Sequence, residues 1–485
     1  MSLDATPYKW SNMRPLEIFI PLLLTTYLLW KHPRPYAIRL FPVLALILTL
    51  IHFWIEGYRW QMIPIYGLTT ILVISSLIKL QSPVDSKPVA SYLTLRLAQG
   101  GAFVLLAVST ALPILLPVPT IPTPSGPYQV GTRIYELVDG SRKEIYSGED
   151  EARRFTIQVW YPSEAGTSTE QARWMDHAEI YAPAIAHQID MPSYFLDHLA
   201  LVNVPAFKDA KAATADQGYP IILFSHGWTG FNAQNTGQAL ELASHGFIVV
   251  AVQHTYGAVI TVFEDGTIAN YNPSALPKGA PQDEYEAAAH ILSNQWAGDL
   301  GFTLDYLKSQ NEDTNSAFYG LLDLSRVGVY GHSTGGGAAI QFCGTDSRCK
   351  ALLGMDPFMR PVSYEVLDSG AAQPSFFMFS QGWLDDVDKN RSNELFQRFI
   401  PYVSDSWGVI SIEGADHYDF ADLPLLSPLA PQLGLKGPIN GKRVTTIVND
   451  YLLSFFELTL KGEASTLFEN PSPYPEVKPV QPYPQ

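Results

Sequence analysis

Cysteine is almost missing from this chain of 485 residues: Cys343 and Cys349 are the only two. So few exclude a small fold stapled by disulfides, and neither their number nor their spacing suits a zinc site. Positive charge is scarce as well, with 31 Lys and Arg against 47 Asp and Glu and a formal net charge of −16. That balance argues against nucleic acid as a partner, which would call for a basic face. No repeat period is visible, so solenoids and propellers drop out. Histidine is thin late in the chain: of eleven, a single one follows residue 333.

What the sequence has in excess is apolar residues, and they are unevenly spread. Residues 1–117 hold four nearly continuous apolar blocks, Leu16 to Trp30, Ala37 to Ile55, Met62 to Ile78 and Leu97 to Leu116, separated by short polar joints. A water-soluble bundle would show a polar face every three or four residues, and these blocks do not. Four membrane helices are the expectation, the first of them short for the ~20 residues that a bilayer crossing usually takes. A cleaved signal peptide would explain only the first block, which lacks a small-residue cleavage site.

Charge divides the chain at the same place. Residues 1–117 carry nine Lys or Arg and four Asp or Glu, which leaves −21 on the remainder. The positive residues gather around the first joint (Lys31, Arg34, Arg39) and the third (Lys79, Lys87, Arg96), against Arg59 in the second and Lys9 and Arg14 ahead of the first block. Cytoplasmic loops are enriched in Lys and Arg, so a multi-pass cell-membrane protein with both chain ends outside the cytoplasm is expected. A disulfide between Cys343 and Cys349 would fit that oxidising side. No charge cluster inside the blocks suggests transport, since Glu17 and Arg39 sit near block ends, and anchoring is the expected role.

The chemistry is carried further along. Gly331, His332, Ser333, Thr334 and Gly335 form a G-x-S-x-G between the strand-like run Arg326 to Tyr330 and the helix-like run Gly336 to Ile340. That is the setting of a nucleophile elbow in an α/β-hydrolase, where a strained strand-to-helix turn pushes the serine Oγ outward and flanking glycines avoid clashes. Such enzymes take their triad in the order Ser, Asp or Glu, His. The one later histidine is His417, directly after the apolar run Trp407 to Ile412, where a general base belongs. Asp416 and Asp419 beside it bring no second histidine or cysteine, so a metal site is not expected.

Around the elbow, apolar runs alternate with helical stretches. Tyr219 to Phe224, Phe247 to Val252, Lys350 to Met355, Ser375 to Phe379 and Trp407 to Ile412 read as strands; Gln238 to His245, Glu284 to Ser309 and Thr445 to Lys461 read as helices. A mostly parallel sheet with helices on both faces follows. Phe155 to Tyr161 alternates as an edge strand would, and 163–215 is irregular, fit to cover a site or to pad the fold. The expected organisation is a four-helix transmembrane region over 1–117, a Pro-rich linker over 118–126, an α/β-hydrolase catalytic domain over 127–465 and a Pro-rich, disordered tail over 466–485.

Acyl transfer also needs donors aimed at a developing oxyanion. The loop Ser225 to Gly230 leaves a strand and offers the Trp228 backbone N–H; the residue after the nucleophile offers that of Thr334. His226, which precedes the serine, is read as a structural loop residue. For the acid, Asp385 or Asp386 after the strand ending at Phe379 and Asp356 at the end of the preceding strand stand about even.

Taken together, Phe224 to Gly227, Val250 to His254, Gly331 to Gly336, Gly354 to Asp356, and His417 with Phe420 resemble the platelet-activating-factor acetylhydrolase family and its bacterial relatives over about 125–465. The resemblance implies Asp356 as the acid, beside Ser333 and His417. It implies a calcium-independent serine esterase without a cofactor, acting on phospholipids or other lipid esters with short acyl chains. It does not reach residues 1–117. Two other readings remain: a serine peptidase of the prolyl-oligopeptidase type, whose usual propeller repeats are absent here, and a non-catalytic membrane binding protein that keeps a hydrolase fold.

Overall fold

Parallel strands covered on both faces read as unbroken apolar runs, and the centre of this molecule is built from them. The computed structural model describes residues 13–31, 33–81, 92–468 and 472–480. The strands among them are β1 Gln129–Lys143, β2 Ala152–Ser163, β3 Gln171–Arg173, β4 Asn203–Lys208, β5 Tyr219–Ser225, β6 Ile248–Gln253, β7 Ile260–Val262, β8 Ile268–Asn270, β9 Leu322–His332, β10 Cys349–Met355, β11 Pro374–Ser380, β12 Asp405–Ile412 and β13 Val477–Pro479. Eleven make one sheet in the order β13-β12-β11-β10-β9-β5-β6-β2-β1-β4-β3, while β7 and β8 pair apart from it. From β6 through β5, β9, β10 and β11 to β12 every pairing is parallel. The flanks turn antiparallel where β2 meets β6 and β1, and where β13 meets β12.

Neighbouring residues of a strand face opposite sides, so the sheet separates two cores. Phe224 and Tyr330 pack with the helix Gly441–Phe456 on one side; Leu223 and Val329 pack with the helices Gln282–Glu312 and Thr334–Thr345 on the other. The result is a mixed α/β sheet with helices on both faces.

Several expectations need correction. Phe155 to Tyr161 is not at an edge: β2 is paired on both sides, because the long β1 extends the sheet beyond it. That strand carries Arg133, Glu136, Asp139 and Lys143, and the charges disguised it. The stretch 163–215 contains β3, β4 and the helix Ala178–Gln188. Within the tail expected to be disordered, β13 adds to β12, Arg443 Nε pairs with Glu476 at 2.9 Å, and Tyr474 hydrogen-bonds Asp450. A proline-bearing strand is tolerated there because it lies at the edge. The proline-rich linker is docked: Ile121 is buried in the core, and the Ser125 N–H donates to Glu241 Oε2 at 3.0 Å.

Four apolar helices do occupy the expected region, at Pro15–Leu29, Phe41–Ile55, Ile63–Gln81 and Tyr92–Leu115, and they pack on one another. Among the described residues, two helices are long and apolar enough to cross a membrane, spanning Trp60–Ile78 and Arg96–Leu115. The first two have 15 residues each, or about 22 Å against a hydrocarbon thickness of about 30 Å. Of the four expected spans, two therefore have the length for a crossing, by length and composition only, and the other two are shorter. One end of the bundle is tied by buried charge, where Arg59 pairs with Glu17 at 2.6 Å and its guanidinium also donates to the Leu116 carbonyl. Lys9 and Lys87, used above to orient the bundle, lie outside the described residues.

Candidate active site

Strand β5 has β6 on one side and β9 on the other, so the chain order reverses there and the strand ends open a crevice. The loops leaving β5 and β9 bring Gly227 and Trp228 beside Ser333. All three line a cavity of about 220 Å³, together with His417. Ser333 sits at φ 57°, ψ −124°, a sparsely populated conformation for a non-glycine residue. Its backbone is clamped by Ser333 N–H to Met355 O at 3.0 Å and Phe358 N–H to Ser333 O at 2.8 Å. Glycine is required on either side: a Cβ on Gly331 would run into the Gly335 carbonyl, and one on Gly335 into those of Ser225 and His226.

His417 Nδ1 lies 3.0 Å from Asp356 Oδ2. Asp356 is fully buried at the end of β10, where it also accepts from the Ser380 N–H at 2.7 Å and the Ser380 hydroxyl at 2.6 Å. Burial opposes charge on both partners, pushing the carboxyl up and the imidazole down, while the Ser380 hydrogen bonds favour the carboxylate. The imidazole is sandwiched between Trp383, 4.7 Å away centre to centre, and His332, 4.4 Å away. His332 Nδ1 accepts from Gln234 at 3.0 Å, which leaves its Nε2–H to donate to the His417 carbonyl at 3.0 Å. The ring is therefore held by its face, its Nδ1 and its backbone. Neither the Ser333 hydroxyl nor His417 Nε2 has a hydrogen-bond partner among the described residues.

The Trp228 N–H makes no hydrogen bond among the described residues, and Thr334 opens its helix, where first-turn N–H groups have no helical acceptor. Asp385 and Asp386 stand elsewhere: the first ends the helix Gln381–Asp385, and the second caps the next turn by accepting from Asp388 N–H at 2.9 Å. Asp416 and Asp419 fix the His417 loop, accepting respectively from the His417 N–H at 2.7 Å and the Gly437 N–H at 2.7 Å. A disulfide joins Cys343, in the last turn of the elbow helix Thr334–Thr345, to Cys349 at the start of β10. Ser380, Trp383, His332 and Gln234 escaped the sequence reading; the position of Ser380 at the end of a strand next to β10 was the one available hint.

A second arrangement lies beneath the loop that carries Trp228. His254 Nδ1 is 2.9 Å from Asp299 Oδ2 and its Nε2 is 2.9 Å from the Ser225 hydroxyl, with all three side chains sealed from solvent. Trp296 stacks on the imidazole at 4.2 Å. Burial alone would raise the Asp299 carboxyl, but the charge of Arg153 and hydrogen bonds from His254 and Arg153 hold it well below the usual range. The His254 N–H donates to His226 Nε2 at 3.1 Å, and His226 Nδ1–H donates to the Gly227 carbonyl at 2.7 Å. Burial, and then His254, push His226 down to about 3, so the ring stays neutral and fixes the loop as a hydrogen-bonding strut.

A mixed sheet with a strained serine at its switch point, opening into a largely apolar cavity, defines an esterase of the hydrolase-like class. The known proteins this chain is similar to agree. The family model described as platelet-activating factor acetylhydrolase, isoform II, matches residues 116–466, and the chain belongs to that family. A platelet-activating factor acetylhydrolase of Cavia porcellus is 28% identical over 70% of this chain and 77% of its own. A probable 1-alkyl-2-acetylglycerophosphocholine esterase of Arthroderma benhamiae is 23% identical over 74% of this chain and 92% of its own. Among solved structures, a ferulic acid esterase from Streptomyces cinnamoneus superposes with a TM-score of 0.62 at 23% identity, over 75% of this chain and all of that one. The expected family is the one found, and as expected the match leaves the helical region out.

Proposed function

We propose that the protein is a membrane-anchored serine carboxylic ester hydrolase that cleaves short-chain acyl esters of phospholipids or other lipids through an acyl-enzyme. The observation that carries this reading is the His417–Asp356 hydrogen bond of 3.0 Å in the cavity that the strained Ser333 also lines. Asp356 holds Nδ1–H, so Nε2 is the basic nitrogen. Ser333 Oγ attacks the ester carbonyl carbon and its proton passes to Nε2. The oxyanion is met by the N–H groups of Trp228 and Thr334, each donor being worth about 3 kcal/mol in comparable sites. When the bond to the alcohol breaks, that proton leaves with the alcohol. Water then gives a proton to Nε2, its oxygen attacks the acyl carbon, and the proton returns to Ser333 as the acid departs.

Membrane anchoring is supported by an inverted pattern in the helical region. Glu17, His52, Arg59 and Gln61 are buried inside, while Phe19, Leu22, Trp54, Ile71 and Leu97 face outward. Such a surface suits lipid rather than water. The Cys343–Cys349 bridge supports placing the esterase domain on the oxidising, extracytoplasmic side. The activity is tested with a panel of glycerophospholipid and simple esters graded by acyl length, using full-length protein in detergent. Hydrolysis favouring short chains and abolished in Ser333→Ala is expected; equal hydrolysis by Ser333→Ala overturns the reading.

A further inference from the structure

The end of the helical bundle is built into the wall of the ester cavity. Leu116, the residue after the helix Tyr92–Leu115, lines that cavity along with Ser333, His417 and Trp228. Its position is fixed from several directions. The Arg59 guanidinium donates to its carbonyl, the Ser427 hydroxyl donates to the Leu115 carbonyl at 2.5 Å, and its own N–H bonds Leu112 O at 2.9 Å. A second stretch of the lining, within residues 185–199, is held by the bundle as well. Trp60 Nε1–H donates to the Phe195 carbonyl at 3.2 Å, and Gln61 Nε2 donates to His198 Nδ1 at 3.0 Å in a fully buried pair. His198 keeps this acceptor nitrogen because burial, and then the charge of Arg59, push the imidazole down to about 3. Both Phe195 and His198 line the cavity.

We infer that the helical region is a specificity-determining part of the substrate site: the acyl chain of a lipid ester lies against Leu116 and the Phe195–Leu199 wall, and the bundle limits its length. This rests on the ester-hydrolase reading above. Tethering alone does not call for Leu116 in the cavity or for a buried hydrogen bond to its lining. Ile121, in the linker that follows Leu116, is buried in the hydrolase core.

The test compares p-nitrophenyl acetate with p-nitrophenyl octanoate on full-length protein in detergent, with fluorophosphonate labelling of Ser333 as the measure of folded enzyme. Leu116→Trp fills the cavity from the bundle side and is expected to lower the octanoate-to-acetate ratio of kcat/KM about tenfold. Leu116→Ala enlarges it and is expected to raise the same ratio. Ratios that stay at the wild-type value in both variants, with labelling intact, overturn the proposal. If Leu116→Trp does not label, the ratio in Leu116→Ala decides: a rise supports the proposal, and no change overturns it. An unaltered protein that hydrolyses neither ester would overturn the ester-hydrolase reading itself, and this proposal with it.

Discussion

Two sets of serine, histidine and aspartate stand out among the described residues, alike in a hydrogen bond from His Nδ1 to Asp and unlike in access to solvent. In Ser225, His254 and Asp299 both hydrogen bonds are made at 2.9 Å and every side chain is sealed. In Ser333, His417 and Asp356 one bond is made, at 3.0 Å, and the serine is left free on a strained turn facing a cavity. The better-formed hydrogen-bond chain is the one a substrate cannot reach. Under the proposed mechanism the serine with an unpaired hydroxyl and nearby N–H donors is the nucleophile, whereas the same triplet packed against Trp296 and beside Arg153 serves as a brace.

The comparison breaks first at the exposed set. Ser333→Ala should lower kcat for a short-chain ester by about 10⁶-fold, and Asp356→Asn by about 10⁴-fold by spoiling the tautomer of His417. Asp385→Asn and Asp386→Asn should leave kcat near wild type, since among the described residues neither carboxylate hydrogen-bonds the His417 ring, whose Nδ1 partner is Asp356. Steady-state kinetics on the four variants checks this; a large loss in either of the last two would move the acid away from Asp356.

The buried set should fail differently. Asp299→Asn leaves Arg153 sealed with weakened compensation and should cost about 3 kcal/mol of stability, read as a lower midpoint in chemical denaturation, with the fluorophosphonate labelling stoichiometry of the folded fraction unchanged. Ser225→Ala removes one hydroxyl donor and should cost about 1 kcal/mol. A loss of activity on the scale of Ser333→Ala without any loss of stability would erase the distinction between brace and nucleophile.

The smallest expected effect is on pH dependence. Burial, and then the charge of Lys389, push His417 down to about 3, below the ordinary histidine value. If His417 is the base, as proposed, it works when neutral and is lost when protonated, so kcat/KM should hold level as pH falls through 6.5 and decline only further into acid. Lys389→Glu replaces a repelling charge with an attracting one and should move that acidic limb upward. A wild-type limb at or above 6.5, or a downward shift in the variant, would contradict the electrostatic description of the site.

Much of this was legible in the chain. The elbow declared itself through Gly331 and Gly335, whose missing side chains the turn demands, and His417 through being the only histidine after the serine. The parallel strands were readable because burial on both faces leaves continuous apolar runs such as Tyr219–Ser225. By contrast β1 was not, since a third of it is exposed and a third of it charged, and β13 was not, since an edge strand with proline resembles a loop. Asp356 needed the family resemblance, because which carboxylate meets an imidazole depends on how strand ends align in space. The struts around His417 were invisible for the same reason: His332, Gln234 and Trp383 come from three separate segments. The contact of Leu116 with the cavity was hidden by the apolar block that contains it, in which every residue looked like membrane.

The most direct measurement is to map the adduct of a fluorophosphonate probe on the full-length protein by peptide mass spectrometry. The account predicts a single modified serine, Ser333, no modification at Ser225, and no labelling at all in Ser333→Ala. A probe that leaves Ser333 unmodified, or that still labels Ser333→Ala at another serine, would contradict it.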